Sequence, residues 1–120
     1  MNLIDIHRAT EYFKAKVEFT TGPVELKHML DLDENINIID VRYPVDYAVG
    51  HIPSSINVPK DEWETFEGLS REKTNIIYCY SGVCRLAAEA AMFFSSHGYP
   101  VMELDGGFEQ WKLHEFPIEF

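Results

Sequence analysis

Two short runs of β-branched and apolar residues stand out from an otherwise mixed chain: Ile36-Asn37-Ile38-Ile39-Asp40-Val41 and Asn75-Ile76-Ile77-Tyr78-Cys79. Both are shorter than a helix needs, so both read as buried strands. Elsewhere the period is helical. Ile6, Ala9, Phe13 and Val17 recur at helical spacing, with Glu11, Lys14 and Lys16 on other faces, which predicts a helix over 3–17. Thr21-Gly22-Pro23 is a helix-start signal that Val24 to Leu30 continues, and residues 31–35 form a polar turn. Pro44 opens a short helix through Ala48, ended by Gly50. Ile56 to Val58 reads as extended, and Lys60 to Phe66 as a helix carrying Trp63. Val83 to His97 is an alanine-rich helix closed by Gly98. Its apolar residues cover much of its circumference and predict extensive burial. Tyr99 to Leu104 is a further strand with Pro100 near its start, and Gly106-Gly107 precedes a last helix through Trp111.

Strands alternate with helices. The fold class this predicts is α/β, with a mostly parallel central sheet and helices on both faces. Ligands of such sheets sit beyond the carboxyl ends of the strands, so the chemistry is sought just after Tyr78.

Composition narrows the partners. The 120 residues suit one domain, and 46% hydrophobic content supplies a core. A net charge of −10 argues against a nucleic-acid partner or an anionic membrane. No apolar run reaches the roughly 20 residues of a membrane span. Met1-Asn2-Leu3-Ile4-Asp5 lacks the basic start of a secretory signal, so the expectation is a soluble cytoplasmic protein. Cys79 and Cys84 are the only cysteines. They make no disulfide framework, and a zinc site would need further ligands, so no metal is expected.

The segment after the second strand is Tyr78-Cys79-Tyr80-Ser81-Gly82-Val83-Cys84-Arg85. A cysteine ends a strand and a helix follows. Backbone N–H groups in such a connection can converge into an anion cradle reinforced by the helix's positive end. The same field favours a thiolate, so an acidic Cys79 is expected. Gly82 lets the backbone turn without a side chain filling the cradle. Arg85 offers a full charge and two parallel hydrogen bonds. Other readings stay open. A cysteine at a strand end is also a common small buried hydrophobe. Arg85 reads equally as an exposed first-turn residue. Cys84 reads as a buried first-turn residue, close enough to Cys79 in sequence for a disulfide or a sulfur relay.

Four segments, in order, resemble the rhodanese family. Ile38-Ile39-Asp40-Val41-Arg42 is similar to its first signature, and residues Asp46 to Pro59 (DYAVGHIPSSINVP) to its second, the most specific of the four. Tyr78 to Val83 resembles the active-site loop, and Leu104 to Trp111 (LDGGFEQW) the closing motif. The resemblance implies a rhodanese-like domain over residues 21–120, preceded by an N-terminal helical extension, residues 1–20. It implies Cys79 as the catalytic nucleophile, with Tyr80, Ser81, Gly82, Val83, Cys84 and Arg85 as the substrate-binding loop. It implies structural roles for Asp40, Arg42 and Asp46 as a buried polar network, for His51 as a partner of nearby backbone, and for Trp63 and Trp111 as core. Two positions depart from the family. Many of its sulfurtransferases carry a basic residue where Tyr80 stands, and a basic or hydroxyl residue where Cys84 stands. The stretch from Cys79 to Gly98 is also long, so either the helix or the loop is extended.

The activity implied is sulfur transfer. Cys79 takes a sulfane sulfur from a small anionic donor, thiosulfate or a persulfide. It passes it to a thiol, cyanide or protein acceptor, with no cofactor. Two rivals remain. The Cys-(five residues)-Arg spacing is also that of related phosphatases and arsenate reductases, although Tyr78 replaces the histidine that usually precedes their cysteine. The second is a non-catalytic binding or sulfur-carrier module.

Overall fold

A computed structural model describes residues 3–120; Met1 and Asn2, the start of the expected extension, lie outside the described residues. Five strands form one sheet in the order β1-β5-β4-β2-β3: β1 is Thr20–Thr21, β2 Ile36–Asp40, β3 Ile56–Asn57, β4 Thr74–Tyr78 and β5 Val101–Leu104. Every pairing is parallel, so the expected mostly parallel sheet is wholly so. The two isoleucine runs lie side by side at its centre, with Ile38 opposite Ile76 and Asp40 opposite Tyr78.

Alternation along these strands builds two cores. Ile39 and Ile77 face Trp63, Ala87, Ala90 and Phe94 on one side. Ile38, Ile76 and Tyr78 face Leu26, Phe108 and Trp111 on the other. Both tryptophans are buried, as the resemblance implied. Helices cover both faces: α2 (Pro23–Asp31) and α5 (Gly107–Leu113) on the Trp111 side, α4 (Leu86–Ser96) on the Phe94 side. A short α3 (Pro44–Val49) follows β2.

Several boundaries move. The first helix, α1, spans Ile6–Phe19, capped by the Asp5 carboxylate, which accepts from the His7 and Arg8 N–H groups. It carries no buried residue. Thr20–Thr21 was not anticipated as a strand, because two residues show no periodicity. Lys60–Thr65 is 3₁₀ rather than α-helical, ending on Phe66 at φ +56°. The β5 strand starts after Pro100, not at Tyr99. The alanine-rich helix starts at Leu86, not Val83, and only Ala87, Ala90 and Phe94 are buried in it. It packs one stripe on one sheet face, and Met92 is exposed on its outer side. Extensive burial was therefore an overestimate: Ala88 and Glu89 lie with Met92 on the solvent face, where Ala88 favours the helix without entering the core. Among the described residues, no helix is long and apolar enough to cross a membrane.

Candidate active site

The β4 strand delivers Cys79 to the carboxyl edge of the sheet, one residue past the strand's end. Because α4 starts at Leu86, Tyr80 to Arg85 all lie in the connection. Val83 and Cys84 are thus loop residues, and Arg85 is the helix N-cap rather than a first-turn residue. The Cys84 N–H donates to the Ser81 carbonyl at 3.2 Å, closing a turn with Gly82 and Val83 at its tip. The Val83 side chain is 92% exposed there.

Two neighbours hold the loop. The first is the start of α5. The Phe108 N–H donates to the Cys79 carbonyl and the Glu109 N–H to the Tyr80 carbonyl, both at 2.9 Å. Gly107 makes this approach feasible: its φ is +60°, and a Cβ there would lie 2.8 Å from both the Cys79 carbonyl oxygen and the Ser81 nitrogen. The second is Tyr80 itself. Its hydroxyl donates to the Asp46 carboxylate and accepts the Tyr43 N–H at 3.1 Å, tying the loop to the start of α3. Burial, then the bond to Asp46, raises this phenol to about 12. Tyr80, beside Cys79, is therefore a structural strut.

Beneath the strut, Arg42 and Asp40 form a buried ion pair, with Nη2 at 2.8 Å from Oδ2. Arg42 also donates to the Gly50 carbonyl at 2.7 Å and lies 4.1 Å from the centre of the Phe108 ring. The expected polar network thus exists as a pair, Asp40 with Arg42, while Asp46 serves Tyr80 instead. The His51 ring bonds the Tyr47 carbonyl through Nδ1 at 2.8 Å, the backbone role expected of it.

The Cys79 sulfur is 1% exposed with its residue, at the base of the loop. It donates to the Cys84 carbonyl at 3.5 Å and the Ser81 carbonyl at 3.9 Å. The surroundings of the Cys79 sulfur run against the expected acidic thiol. Burial pushes the Cys79 thiol up to about 12, and the neighbouring Cys84 thiol adds to the rise. The amides of Ala87 and Ser81 act in the opposite direction and are outweighed. The cradle is therefore partial: helix-start and loop N–H groups reach the sulfur, but two carbonyls face it as well. Cys84 is half-buried and packs against the same cluster as Cys79. Arg85 is exposed and makes no side-chain hydrogen bond or ion pair among the described residues. Lys112 lines a hollow beside the loop together with Asp46, Tyr80 and Ser81.

A raised thiol pKa has a direct kinetic signature. Only the thiolate is alkylated, and below its pKa its fraction grows about tenfold per pH unit. Iodoacetamide modification of Cys79, located by fragment mass spectrometry, is expected to accelerate about tenfold per unit between roughly pH 7 and pH 9. A rate that levels off near neutrality would mean that the free thiol is acidic after all.

Sequence reasoning assigned no role to Gly107, Phe108 and Glu109, which clamp the loop. The signal available was the Gly106-Gly107 pair ahead of a helix, both residues having positive φ. Lys112 carried no signal, because only the fold brings α5 beside the loop.

Comparison with known proteins agrees with this architecture. The family model described as "Rhodanese-like domain" matches residues 22–114. The thiosulfate:glutathione sulfurtransferase of Saccharomyces cerevisiae is 36% identical over 97 residues, covering 68% of each chain. The probable adenylyltransferase/sulfurtransferase MoeZ of Mycobacterium tuberculosis is 33% identical over 102 residues, which is 82% of this chain. The match spans only 26% of MoeZ. The crystal structure of the BH2092 protein from Bacillus halodurans superposes with a TM-score of 0.83 at 31% identity, covering 96% of this chain and 86% of that one. The family model runs from the start of α2 to the end of α5, with β2 to β5, loop and clamp included, and the chain belongs to the rhodanese-like domain family.

Proposed function

We propose that this chain is a sulfurtransferase that carries a sulfane sulfur on Cys79. The observation that carries the reading is the placement of Cys79: a thiol at the carboxyl end of the central parallel strand, in the connection that leads into α4. The sulfurtransferase names of two relatives point the same way.

In the first step the Cys79 thiolate attacks the outer sulfur of thiosulfate or of a persulfide. The donor's sulfur–sulfur bond breaks, sulfite or a thiolate leaves with the electron pair, and Cys79 becomes a persulfide. In the second step an acceptor thiolate or cyanide attacks the terminal sulfur and Cys79 leaves as thiolate. This is covalent catalysis in two displacements, and it needs neither metal nor organic cofactor. The loop from Tyr80 to Arg85 binds the anion. Arg85 and Lys112 supply the positive charge that a protein of net charge −10 must provide locally. A protein acceptor would be met at the same exposed loop. Two free thiols suit a reducing compartment, and we place the chain in the cytoplasm.

Intact-mass measurement after brief thiosulfate treatment tests this reading. Uptake of one sulfur atom per chain, with negligible hydrolysis of a small aryl phosphate, is expected. Robust phosphate hydrolysis without sulfur uptake would overturn it in favour of a phosphatase, whose Cys-(five residues)-Arg loop the chain also has. Neither activity would leave a binding module.

A further inference from the structure

Two thiols share one small loop, and only one of them is used above. The Ser81–Cys84 turn folds Cys84 back over the loop's base, so that its carbonyl oxygen lies 3.5 Å from the Cys79 sulfur. Standard bond lengths then put the Cys84 Cα within roughly 6 Å of that sulfur. Both side chains belong to one packed cluster with Ala87 and Trp63. Cys84 is the more accessible of the two, half-buried against a buried Cys79. The turn between them is built on Gly82 and an exposed Val83, so a small adjustment meets little packing. A Cβ on Gly82 would touch only the Gly106 backbone, at 3.6 Å or more.

We infer that Cys84 is a resolving thiol, which discharges the Cys79 persulfide as sulfide when no acceptor takes the sulfur. The inference rests on the sulfurtransferase reading and adds a second outcome to it. The Cys84 thiolate attacks the inner sulfur of the persulfide, the Cys79 Sγ. A Cys79–Cys84 disulfide forms, the bond to the outer sulfur breaks, and hydrosulfide leaves with the electron pair. The outer sulfur is reduced to sulfide and the two thiols are oxidised to the disulfide, so atoms and electrons balance without another reactant. Hydrosulfide is a good leaving group at neutral pH, because departure is faster the lower the leaving thiol's pKa. The disulfide blocks further loading until an external dithiol reductant of the thioredoxin class reopens it. The site thus transfers sulfur when an acceptor is at hand, and otherwise releases it once and closes.

The experiment uses the full chain, reduced, freed of reductant and kept without oxygen. It is loaded with one equivalent of thiosulfate, with no acceptor present. Intact mass and trapped sulfide are followed together. The sulfur-loaded mass is expected to give way to one lighter than the starting chain by two hydrogens, with one sulfide released per chain and a Cys79–Cys84 crosslink in the fragment spectrum. In Cys84→Ser no crosslink can form, and sulfur that reaches Cys79 is expected to persist at least tenfold longer. Persistence of the persulfide in the parent chain, or sulfide release without the crosslink, overturns the inference while leaving sulfur transfer intact. Absence of any loading in the parent chain overturns the sulfurtransferase reading, and the inference falls with it.

Discussion

Arg42→Ala is expected to destabilise the fold by roughly 3–5 kcal/mol, the usual cost of removing one partner from a buried ion pair. Arg42 is 4% exposed and Asp40 fully buried. The guanidinium meets the carboxylate through Nε at 3.1 Å and Nη2 at 2.8 Å. It also holds the Gly50 carbonyl and lies against Phe108. Alanine would remove all of these contacts at once. Asp40 would lose its guanidinium partner in the core and keep the Arg42 backbone N–H, at 2.8 Å. The comparison variant is Arg42→Lys, which retains the charge but not the two-pronged geometry, and its loss should be intermediate. Urea melts of the three chains measure the effect. A loss below about 1 kcal/mol for Arg42→Ala would place this pair with exposed salt bridges and refute the argument from burial.

The pair also shows what the sequence could and could not reveal. A buried polar role for Asp40 and Arg42 was legible through the resemblance of Ile38 to Arg42 to the family's first signature. Their fork geometry was not, because it depends on α3 bringing the Gly50 carbonyl within reach. The central sheet was legible for a similar reason: Ile36–Val41 and Asn75–Cys79 have a composition that few other elements share. Boundaries were harder where local signals conflict. Val83 and Cys84 precede a long alanine-rich run and look helical, yet the Ser81 carbonyl captures the Cys84 N–H first and delays α4 to Leu86. The surroundings of the Cys79 sulfur were only partly legible, because strand, loop and helix order shows where N–H groups can point. It does not show how deeply the sulfur is buried, or that carbonyls share its surroundings. The clamp from Gly107 to Glu109 depends on contacts between segments far apart in the chain, and no local pattern announces those.

Cys79→Ser is expected to abolish sulfur uptake, with turnover of thiosulfate to thiocyanate falling by at least about a thousandfold. The reasons are chemical and positional together. A serine hydroxyl ionises far less readily than a thiol and cannot form a persulfide. No other group can replace Cys79, one residue past the end of β4 and at the base of the loop. Serine is close to isosteric with cysteine. The Cys84 and Ser81 carbonyls already accept from the thiol and can accept from a hydroxyl, so the fold should survive. The α5 clamp acts on the Cys79 backbone carbonyl and is untouched by the change. Near-ultraviolet circular dichroism should therefore match the parent while uptake disappears. Cys84 serves as the internal control, because it lies in the same loop and is the more accessible thiol. If Cys79→Ser still gains one sulfur atom, fragment spectra will place it on Cys84, and the two cysteines will have to exchange roles.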